Sequence, residues 1–475
     1  MTARLSLIGA IVLLAGCAAV GPDYRRPELP LPAQFPGADT GAASEVPAQW
    51  WTLYGQPELD RSVAQALARN RDIEQAAARV EQADAVARQA GAALLPRVDL
   101  GASAARARVS PLTFPPNGAT GNQFQLGLSS SFEIDFWGRL RRTRESARAD
   151  LLASTYAQDT VRLTVAALTT QAWFGLRALD EQVALTRATL QTRDEGLRLL
   201  RLRLDSGAGS QLDVEQAEGL QAASAVLLRD LQRQRSLLQT QLGVLTGQLD
   251  LALPEGTLGT LPLPPMPPAG LPSALLERRP DVRSAEQQLA SASARIGAAR
   301  AEQLPTISLT GTLGGESTEL GDLLKSPGRI WSIGIGLAQP LFDGGRLAAR
   351  TDQAAAVHRE AQGAYRGVVE DAFKDVADSL ATLQAARDSQ ADLERAGRAA
   401  ANALRLAQAR YNTGYSGHLE LLDAQRSAAA AQLDVVRNRQ AQLAASVDLF
   451  RALGGGWRPA APGDTAAAAP ATTAR

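Results

Sequence analysis

The sequence contains the stretch Phe136-Trp137-Gly138-Arg139-Leu140, which stands between a run of alternating apolar residues and a long run without proline. The arrangement returns at Phe342-Asp343-Gly344-Gly345-Arg346-Leu347. In both copies the apolar period changes from that of a strand to that of a helix, with a glycine and an arginine at the junction. Each stretch therefore marks the point at which a strand hairpin ends and a long helix begins.

The two copies match well beyond this junction. The Gly-Arg-Leu triplets lie 207 residues apart, which is the difference between positions 345 and 138. The Arg-x-x-x-Gly segments at 203–207 and 410–414 have the same offset. A repeat of this length indicates a duplicated domain rather than a solenoid unit. Each copy contains very long helices and only two strands, so the chain is expected to complete its structure by association with other chains.

Alternation of apolar with polar or small residues predicts four strands, at about residues 97–109, 123–136, 305–313 and 330–342. Two-stranded hairpins are marginal in water, so these strands need partners. A sheet packed on a helical core is one solution, and a transmembrane barrel with an apolar outer face is the other. Four strands cannot close a barrel. Eight strands from two chains leave an interior filled by side chains, whereas twelve from three chains leave a lumen, so a trimer is the smallest assembly that would conduct.

The proline-free run that follows each hairpin predicts a helix of unusual length. These runs cover residues 139–205 and 346–412, and at 1.5 Å per residue each helix would extend about 100 Å. Such lengths imply coiled-coil packing against neighbouring helices. Return helices are predicted at 212–245 and 419–453. The expected fold class is mixed and mainly α, with an internal two-fold repeat and four strands per chain.

The domain organisation follows from this pattern. Proline- and glycine-rich composition predicts an extended tether near the N-terminus and a connector between the copies. The Ala-, Pro- and Thr-rich end of the chain is expected to be disordered. The predicted segments are a signal peptide at 1–16, a lipidated tether at 17–56, a first repeat at 57–253 with its hairpin at 97–136, a connector at 254–272, a second repeat at 273–457 with its hairpin at 305–342, and a tail at 458–475.

Composition excludes several classes of function. The chain carries 49 basic and 49 acidic side chains, and this balance argues against a nucleic-acid partner. Lys325 and Lys374 lie outside any phosphate-binding loop motif. With 2 histidines and 1 cysteine, the chain cannot build a structural zinc site or a disulfide framework of its own. His358 and His418 lack a paired nucleophile motif, so both are predicted to be surface residues and no catalytic site is expected.

The N-terminus carries an apolar stretch that is too short to span a bilayer and has the shape of a secretory signal. It ends at Leu14-Ala15-Gly16-Cys17. This ending resembles the lipobox of bacterial lipoproteins, in which the signal is removed before the cysteine and the cysteine is acylated. A simple signal peptide with an incidental cysteine is the alternative. A covalent lipid on Cys17 and no other cofactor are expected, and Ala18 resembles the pattern that is sorted to the outer membrane.

Three phrases of the sequence carry a resemblance to a known family. They are Glu133-Ile134-Asp135-Phe136-Trp137-Gly138-Arg139-Leu140, Glu277-Arg278-Arg279-Pro280-Asp281-Val282-Arg283 with Ala285-Glu286-Gln287-Gln288-Leu289, and Leu421-Leu422-Asp423-Ala424-Gln425-Arg426. They resemble signatures of the TolC-like outer-membrane efflux family, and most closely its lipoprotein branch, which serves resistance-nodulation-division pumps. The resemblance covers about residues 22–457. It implies a homotrimer in the outer membrane of a Gram-negative bacterium, where twelve strands form a barrel and twelve helices continue it as a tunnel through the periplasm.

The resemblance also implies partners and functional positions. An inner-membrane pump and a periplasmic adaptor would complete an exit path for small molecules, with the chain as a passive duct. The family docks its adaptor at the tips of the long helices. The matched tip residues are Arg203, Asp205, Ser206, Gly207, Arg410, Asn412, Thr413 and Gly414.

The family's periplasmic gate falls on Leu419, Asp423 and Arg426, which lie on one helix face at spacings of four and three. Three-fold symmetry would turn Asp423 into a ring of carboxylates on the pore axis, and such rings select cations and can close a pore. An ordinary surface ion pair is the alternative. The first copy has Gln216 at the position equivalent to Asp423, so the acidic ring is expected to be single.

Other functions remain open at this point. A protein-secretion (type I) exit duct would use the same fold, and a lipid-anchored periplasmic coiled-coil scaffold would use the helices alone. Retention in the outer-membrane fraction as a heat-modifiable trimer separates a duct from a scaffold. A lipoprotein hydrolase would need a nucleophile constellation that the sequence lacks, so the chain is predicted not to be an enzyme.

Overall fold

The structure is a computed structural model that describes residues 19–36, 46–108, 110, 112, 120–259, 261–265, 273 and 275–458. Cys17 and the predicted tail beyond residue 458 lie outside the described residues. The chain divides into two compact units. The described residues of the first unit lie within Met1–Glu28, Ala78–Thr155 and Ser284–Arg366, and those of the second lie within Leu29–Ala77, Tyr156–Arg283 and Gly367–Arg475.

The two copies have the same order of elements. A short 3-10 turn at Trp50–Tyr54 precedes the first copy. The first copy contains α1 (Pro57–Arg69), α2 (Arg71–Ala92), β1 (Arg97–Arg108), β2 (Thr120–Ile134), α3 (Arg139–Asp205) and α4 (Gln211–Thr246). The second copy contains α5 (Leu275–Arg278), α6 (Pro280–Ala301), β3 (Thr306–Ser317), β4 (Arg329–Ala338), α7 (Arg346–Asn412) and α8 (His418–Ala452).

The helices α3 and α7 have the same length, 67 residues each. Neither contains a proline, and each ends two residues before a glycine, as two copies of one ancestral element would. Among the described helices, none combines the length and the apolarity that a membrane crossing requires.

The four strands form one antiparallel sheet in the order β1-β2-β3-β4. Leu128 of β2 pairs with Leu100 of β1 and with Leu313 of β3. Leu309 of β3 pairs with Ile335 of β4. Directly paired residues share a face of a sheet, so an apolar face runs from one edge of the sheet to the other.

The two faces of the sheet differ in chemistry. On the face opposite Leu128, Ser129 pairs with Asp99 and with Thr312. The apolar face is open, with exposed fractions of 72% for Leu100 and 74% for Ile335. A sheet that is apolar and exposed on one side and polar on the other is what the wall of a membrane barrel requires.

We expect arginine in place of Leu128 or Ile335 to destabilise the folded protein by about 2–4 kcal/mol, because a lipid-facing charge near the bilayer midplane carries that cost. Arginine at Ser129, on the polar face, is the matched control and should be tolerated. Urea unfolding in lipid vesicles, followed by tryptophan fluorescence, measures the difference. Equal effects on the two faces would mean that the lipid-facing side has been assigned wrongly.

The ends of β3 and β4 differ most from the sequence-based prediction, and β2 (Thr120–Ile134) begins and ends a few residues earlier than predicted. β3 continues to Ser317 because Gly314 lets the neighbouring backbone approach; a Cβ there would lie 2.3 Å from the carbonyl oxygen of Leu126. The glycine interrupts the alternation of apolar and polar residues along the strand, so the sequence pattern predicts a strand that is too short. β4 stops at Ala338, before the predicted end, because Pro340 cannot donate a ladder hydrogen bond.

The junctions between sheet and long helix are capped by aspartates. Asp135 accepts hydrogen bonds from two backbone N–H groups at the start of α3, at 2.9 and 3.0 Å. Asp343 does the same at the start of α7, at 2.9 and 3.0 Å. Gly138 and Gly345 have φ values of +82° and +85°, a region that disfavours residues with a Cβ. The repeated junction phrase therefore caps the start of each long helix and turns the chain into it.

In the described part of segment 17–56, some side chains pack against later parts of the chain. In the first unit, Arg26 Nε lies 2.7 Å from a carboxylate oxygen of Glu286. In the second unit, Phe35 is buried and stacks on Phe373, with ring centroids 5.1 Å apart. The prolines between residues 22 and 36 keep that stretch free of helix and strand, but they leave its side chains able to dock.

The core of the second unit contains an aromatic cluster to which the same segment contributes. Trp50 and Tyr54 are fully buried. The ring of Trp50 stacks on Phe450 at 5.4 Å, and the ring of Tyr54 meets the edge of Phe174 at 4.8 Å. The hydroxyl groups of Tyr54 and Ser446 lie 2.6 Å apart. Residues 50–54 are thus part of the core, although the tether was predicted to include them.

Arg279, in the second of the three sequence phrases, connects three helices through its hydrogen bonds. It is buried and donates hydrogen bonds to carboxylate oxygens of Asp281 at 2.6 Å and Asp375 at 3.1 Å. It also donates to the carbonyl of Ala452 at 3.3 Å. Pro280 is the first residue of α6, where a backbone N–H would have no helical partner. These contacts tie the start of α6 to α7 and to the end of α8.

A second buried ion cluster holds the connector after α4. The side chain of Asp180 is fully buried and accepts from Arg177 at 3.1 Å, from Arg235, and from the backbone N–H of Gly256 at 3.0 Å. Arg177 also reaches Glu58 at 2.6 Å. Buried charges require this kind of complete pairing, and the cluster joins α1, α3 and α4 to the connector.

Candidate functional site: the helix tips and the gate face

Both long helices end in the same turn. The N–H of Ala208 donates to the carbonyl of Arg203 at 2.9 Å, and the N–H of Tyr415 donates to the carbonyl of Arg410 at 2.9 Å. The glycine inside each turn has a positive φ, +77° in the first tip and +80° in the second. This pattern is the Schellman motif, which closes a helix on glycine.

The tip residues that the sequence singles out are exposed. Ser206 and Thr413 donate their hydroxyl protons back to helix carbonyls, at 2.9 and 3.0 Å. The other side chains lie around the two turns and are open to contact. The exposed set is Arg203, Asp205, Ser206, Gly207, Arg410, Asn412, Thr413 and Gly414.

A stack of three side chains joins the two tips. The Nη1 of Arg203 donates to the hydroxyl of Tyr411 at 3.1 Å, and the guanidinium carbon lies 5.6 Å from the centroid of the tyrosine ring. The Tyr411 ring lies 5.2 Å from the ring of His418. The stack therefore runs from the end of α3, through the end of α7, to the start of α8. We call Arg203, Tyr411 and His418 the tip stack.

The prediction that His418 is a surface residue is wrong. Its exposed fraction is 8%, and among the described residues neither ring nitrogen has a hydrogen-bond partner. Burial lowers the pKa of His418 below its usual value; the carboxylate of Asp213 acts in the opposite direction, and the charge of Arg203 adds to the lowering. The histidine is buried because it opens α8 against Tyr411, inside a groove between the helix pairs.

The groove forms a cavity of about 230 Å³ in the second unit, lined by residues of α3, α4, α7 and α8. Arg193 borders it and donates to the carbonyl of Leu220 at 3.0 Å and to the hydroxyl of Ser224. Burial lowers the pKa of Arg193. The cavity separates the helix pair of the first copy from that of the second, at the level of the tip stack.

The gate residues lie on one face of α8. Arg426 donates to a carboxylate oxygen of Asp423 at 2.6 Å, within the same helix. Leu419, one turn earlier, is 66% exposed and makes no part of this pair. Gln216 of α4 is half-buried. Within one chain, Asp423 and Arg426 have the geometry of a surface ion pair.

Sequence reasoning missed Tyr411 and Arg193. Tyr411 stands at the position where the first copy has Leu204, next to the glycine turn. That replacement of a leucine by an aromatic residue with a polar end was an available signal. Arg193 gave none, because arginine is common on helix surfaces. Within the described residues, no group of His, Cys, Asp or Glu side chains could hold a metal ion.

Comparison with known proteins identifies the family. Residues 63–248 and 271–455 match the outer membrane efflux protein family. The chain is 36% identical over 457 residues to outer membrane protein OprJ of Pseudomonas aeruginosa, with 94% of this chain and 95% of OprJ covered. It is 34% identical over 470 residues to the toluene efflux pump outer membrane protein TtgF of Pseudomonas putida, with 95% and 96% covered. The pyoverdine export outer membrane protein OpmQ of Pseudomonas aeruginosa is 35% identical over 469 residues, with 96% and 97% covered.

Solved structures agree with the sequence match. The outer-membrane channel OprN superposes with a TM-score of 0.87 at 30% identity, covering 93% of this chain and 100% of OprN. The open state of the MtrE outer membrane channel of Neisseria gonorrhoeae superposes with a TM-score of 0.82 at 30% identity, covering 93% and 99%. The predicted TolC-like fold is confirmed, and the chain belongs to the outer membrane efflux protein family as an outer-membrane efflux channel.

Proposed function

We propose that three copies of the chain form the exit duct of a tripartite pump, together with a periplasmic adaptor and an inner-membrane pump of the resistance-nodulation-division class. The duct itself is passive, and the pump supplies the energy. The open sheet carries the proposal: its apolar face is continuous over four strands, and β1 and β4 are its two edges. Edges of this kind are satisfied by closure with strands of other chains.

The adaptor docks at the two exposed tips in this proposal. Both tips present the same backbone turn with short polar side chains around it, which suits a partner that contacts both copies alike. The gate is assigned to Leu419, Asp423 and Arg426, one to two turns beyond the second tip. In a trimer, three exposed carboxylates would come together on the axis, and a leucine ring would close the pore by dewetting.

The proposed cargo is small organic molecules. TtgF belongs by its name to a toluene efflux pump and OpmQ to pyoverdine export, and both align with nearly the whole chain. Deletion of the gene in its own host should sensitise cells to a panel of solvents and dyes and raise their accumulation. Complementation with the wild-type gene should restore export. Unchanged accumulation of every compound, with loss of a secreted protein instead, would replace this cargo by a protein.

We propose no enzymatic activity and no cofactor other than a lipid. The support is that the members of the outer membrane efflux protein family are channels. The lipid is assigned to Cys17, which follows a short apolar signal and stands after Leu14-Ala15-Gly16.

Replacing Cys17 with serine is expected to abolish lipid attachment while leaving the barrel able to insert, since the strands carry their own apolar face. Labelling cells with radioactive palmitate and isolating the protein measures the first part. Heat-modifiable trimer in the outer-membrane fraction measures the second. Equal incorporation of label into the wild type and the variant would refute the assignment.

A further inference from the structure

His418 is a titratable side chain that lies buried at the helix tips. It is buried, it opens α8, and neither of its nitrogens has a hydrogen-bond partner among the described residues. Its ring packs on Tyr411, and Tyr411 receives a hydrogen bond from Arg203 on the other helix pair. A neutral imidazole leaves one N–H donor and one acceptor nitrogen without partners here, whereas an imidazolium would leave two N–H donors and a buried positive charge without partners, which costs more.

We propose that His418 is a proton-sensitive latch: neutral, it holds the tip stack together, and protonated, it releases the start of α8 from Tyr411 and Arg203. Leu419 follows His418 directly, and Asp423 lies within the next two turns of the same helix. Release of the first turn of α8 therefore loosens the gate face. This consequence for the gate rests on the proposed duct function, whereas the latch itself rests on the packing.

The charges around His418 act in both directions, and burial is the largest cause that lowers its pKa. Arg203 on α3 lies across the tyrosine ring, and the N-terminal end of α8 has the positive end of the helix dipole. Asp213 on α4 favours the charged imidazole. Glu195 on α3 borders the same cavity, and Glu420 on α8 is engaged by Arg410 at 3.5 Å. Tyr411 supplies the aromatic face from α7.

The direction of the pH effect follows from linkage. Burial is the main cause that lowers the pKa of His418, so the released tip takes up a proton more readily than the packed tip. The latch is fully stable above the ordinary histidine pKa of about 6.5, and its stability is lost as the pH falls below that value. Unperturbed carboxylates titrate near pH 4, so the window from about pH 7.5 to 5.5 separates histidine from them.

The test is single-channel recording of the full-length trimer in planar bilayers at about pH 7.5 and 5.5. The open probability of the wild type should rise in acid, by up to about tenfold for each pH unit by which the histidine pKa is lowered. His418→Gln removes the proton site, so its pH response should disappear. His358→Gln is the matched control and should keep the full response. The same acid response in His418→Gln would overturn the proposal.

A second readout does not depend on conduction. Exchange of the imidazole C2 hydrogen, read by mass spectrometry of the intact trimer, gives the titration midpoint of His418. This midpoint should lie below the ordinary histidine value of about 6.5, and backbone amide exchange over residues 411–423 should accelerate in acid only when His418 is present. A midpoint for His418 at or above the ordinary value refutes the latch. If these exchange changes occur but the trimer conducts no ions at either pH, the proposed duct function is refuted and the latch is not.

Discussion

Alanine in place of Asp423 is expected to raise the conductance of the isolated trimer and to reduce its preference for cations. Three carboxylates on the axis would pair with Arg426 of the same or a neighbouring chain; within one chain the pair spans 2.6 Å. Exposed pairs contribute about 0.5 kcal/mol each, so losing three would shift the closed-to-open ratio about tenfold. Leu419→Ala should also raise conductance, because a smaller side chain no longer closes the pore by dewetting.

Two control variants test whether the effect is specific to Asp423. Gln216→Ala alters the equivalent position of the first copy, and Asp434→Ala breaks a comparable pair with Arg437, at 3.2 Å, further along α8. Both should leave conductance and ion preference near the wild-type values. If Asp423→Ala changes neither quantity in planar bilayers, the gate lies elsewhere and the pair is an ordinary surface contact.

Alanine in place of Asp180 is expected to lower the free energy of unfolding by about 3–5 kcal/mol, the usual cost of removing one partner from a buried ion pair. The change would leave Arg177 and Arg235 without a shared carboxylate in the core of the second unit, and the N–H of Gly256 without its acceptor. Urea unfolding of the purified protein, followed by circular dichroism of the helices, measures the loss.

The matched control is again Asp434→Ala, whose surface pair should contribute little. Replacing Asp180 with asparagine keeps the shape and one acceptor oxygen, so its effect should fall between those of alanine and wild type. A loss no larger than that of Asp434→Ala would show that the cluster does not hold the connector.

The fold class could be predicted because its signals are periodic and repeated. The alternation around Leu128 and Ile335 assigns side chains to the two faces of the strands, and the absence of proline after Arg139 and Arg346 permits the long helices. The ends of β3 and β4 could not be predicted as well. Gly314 extends a strand through close approach to its neighbour, and no single-sequence pattern distinguishes such a glycine from a turn.

At the helix tips, the sequence pattern predicts the turns but not the side-chain contacts between the two copies. The positions of the turns follow from Gly207 and Gly414, since few other residues adopt a positive φ. The tip stack does not follow, because Arg203 and Tyr411 meet through packing of helices from different copies. His418 has a polar side chain beside a glycine turn, which is typical of a surface residue, and only the packing against Tyr411 buries it.

Closure of the barrel by three chains is the central claim, and disulfide trapping between the sheet edges tests it most directly. Cysteine pairs, one on β1 and one on β4 of the same chain, are scanned along both strands in the native outer membrane and oxidised; single-cysteine variants are the control. A closed ring of three predicts a ladder on denaturing gels with monomer, dimer and trimer and nothing larger. A ladder that ends at the dimer, or one that continues beyond the trimer, would contradict the account.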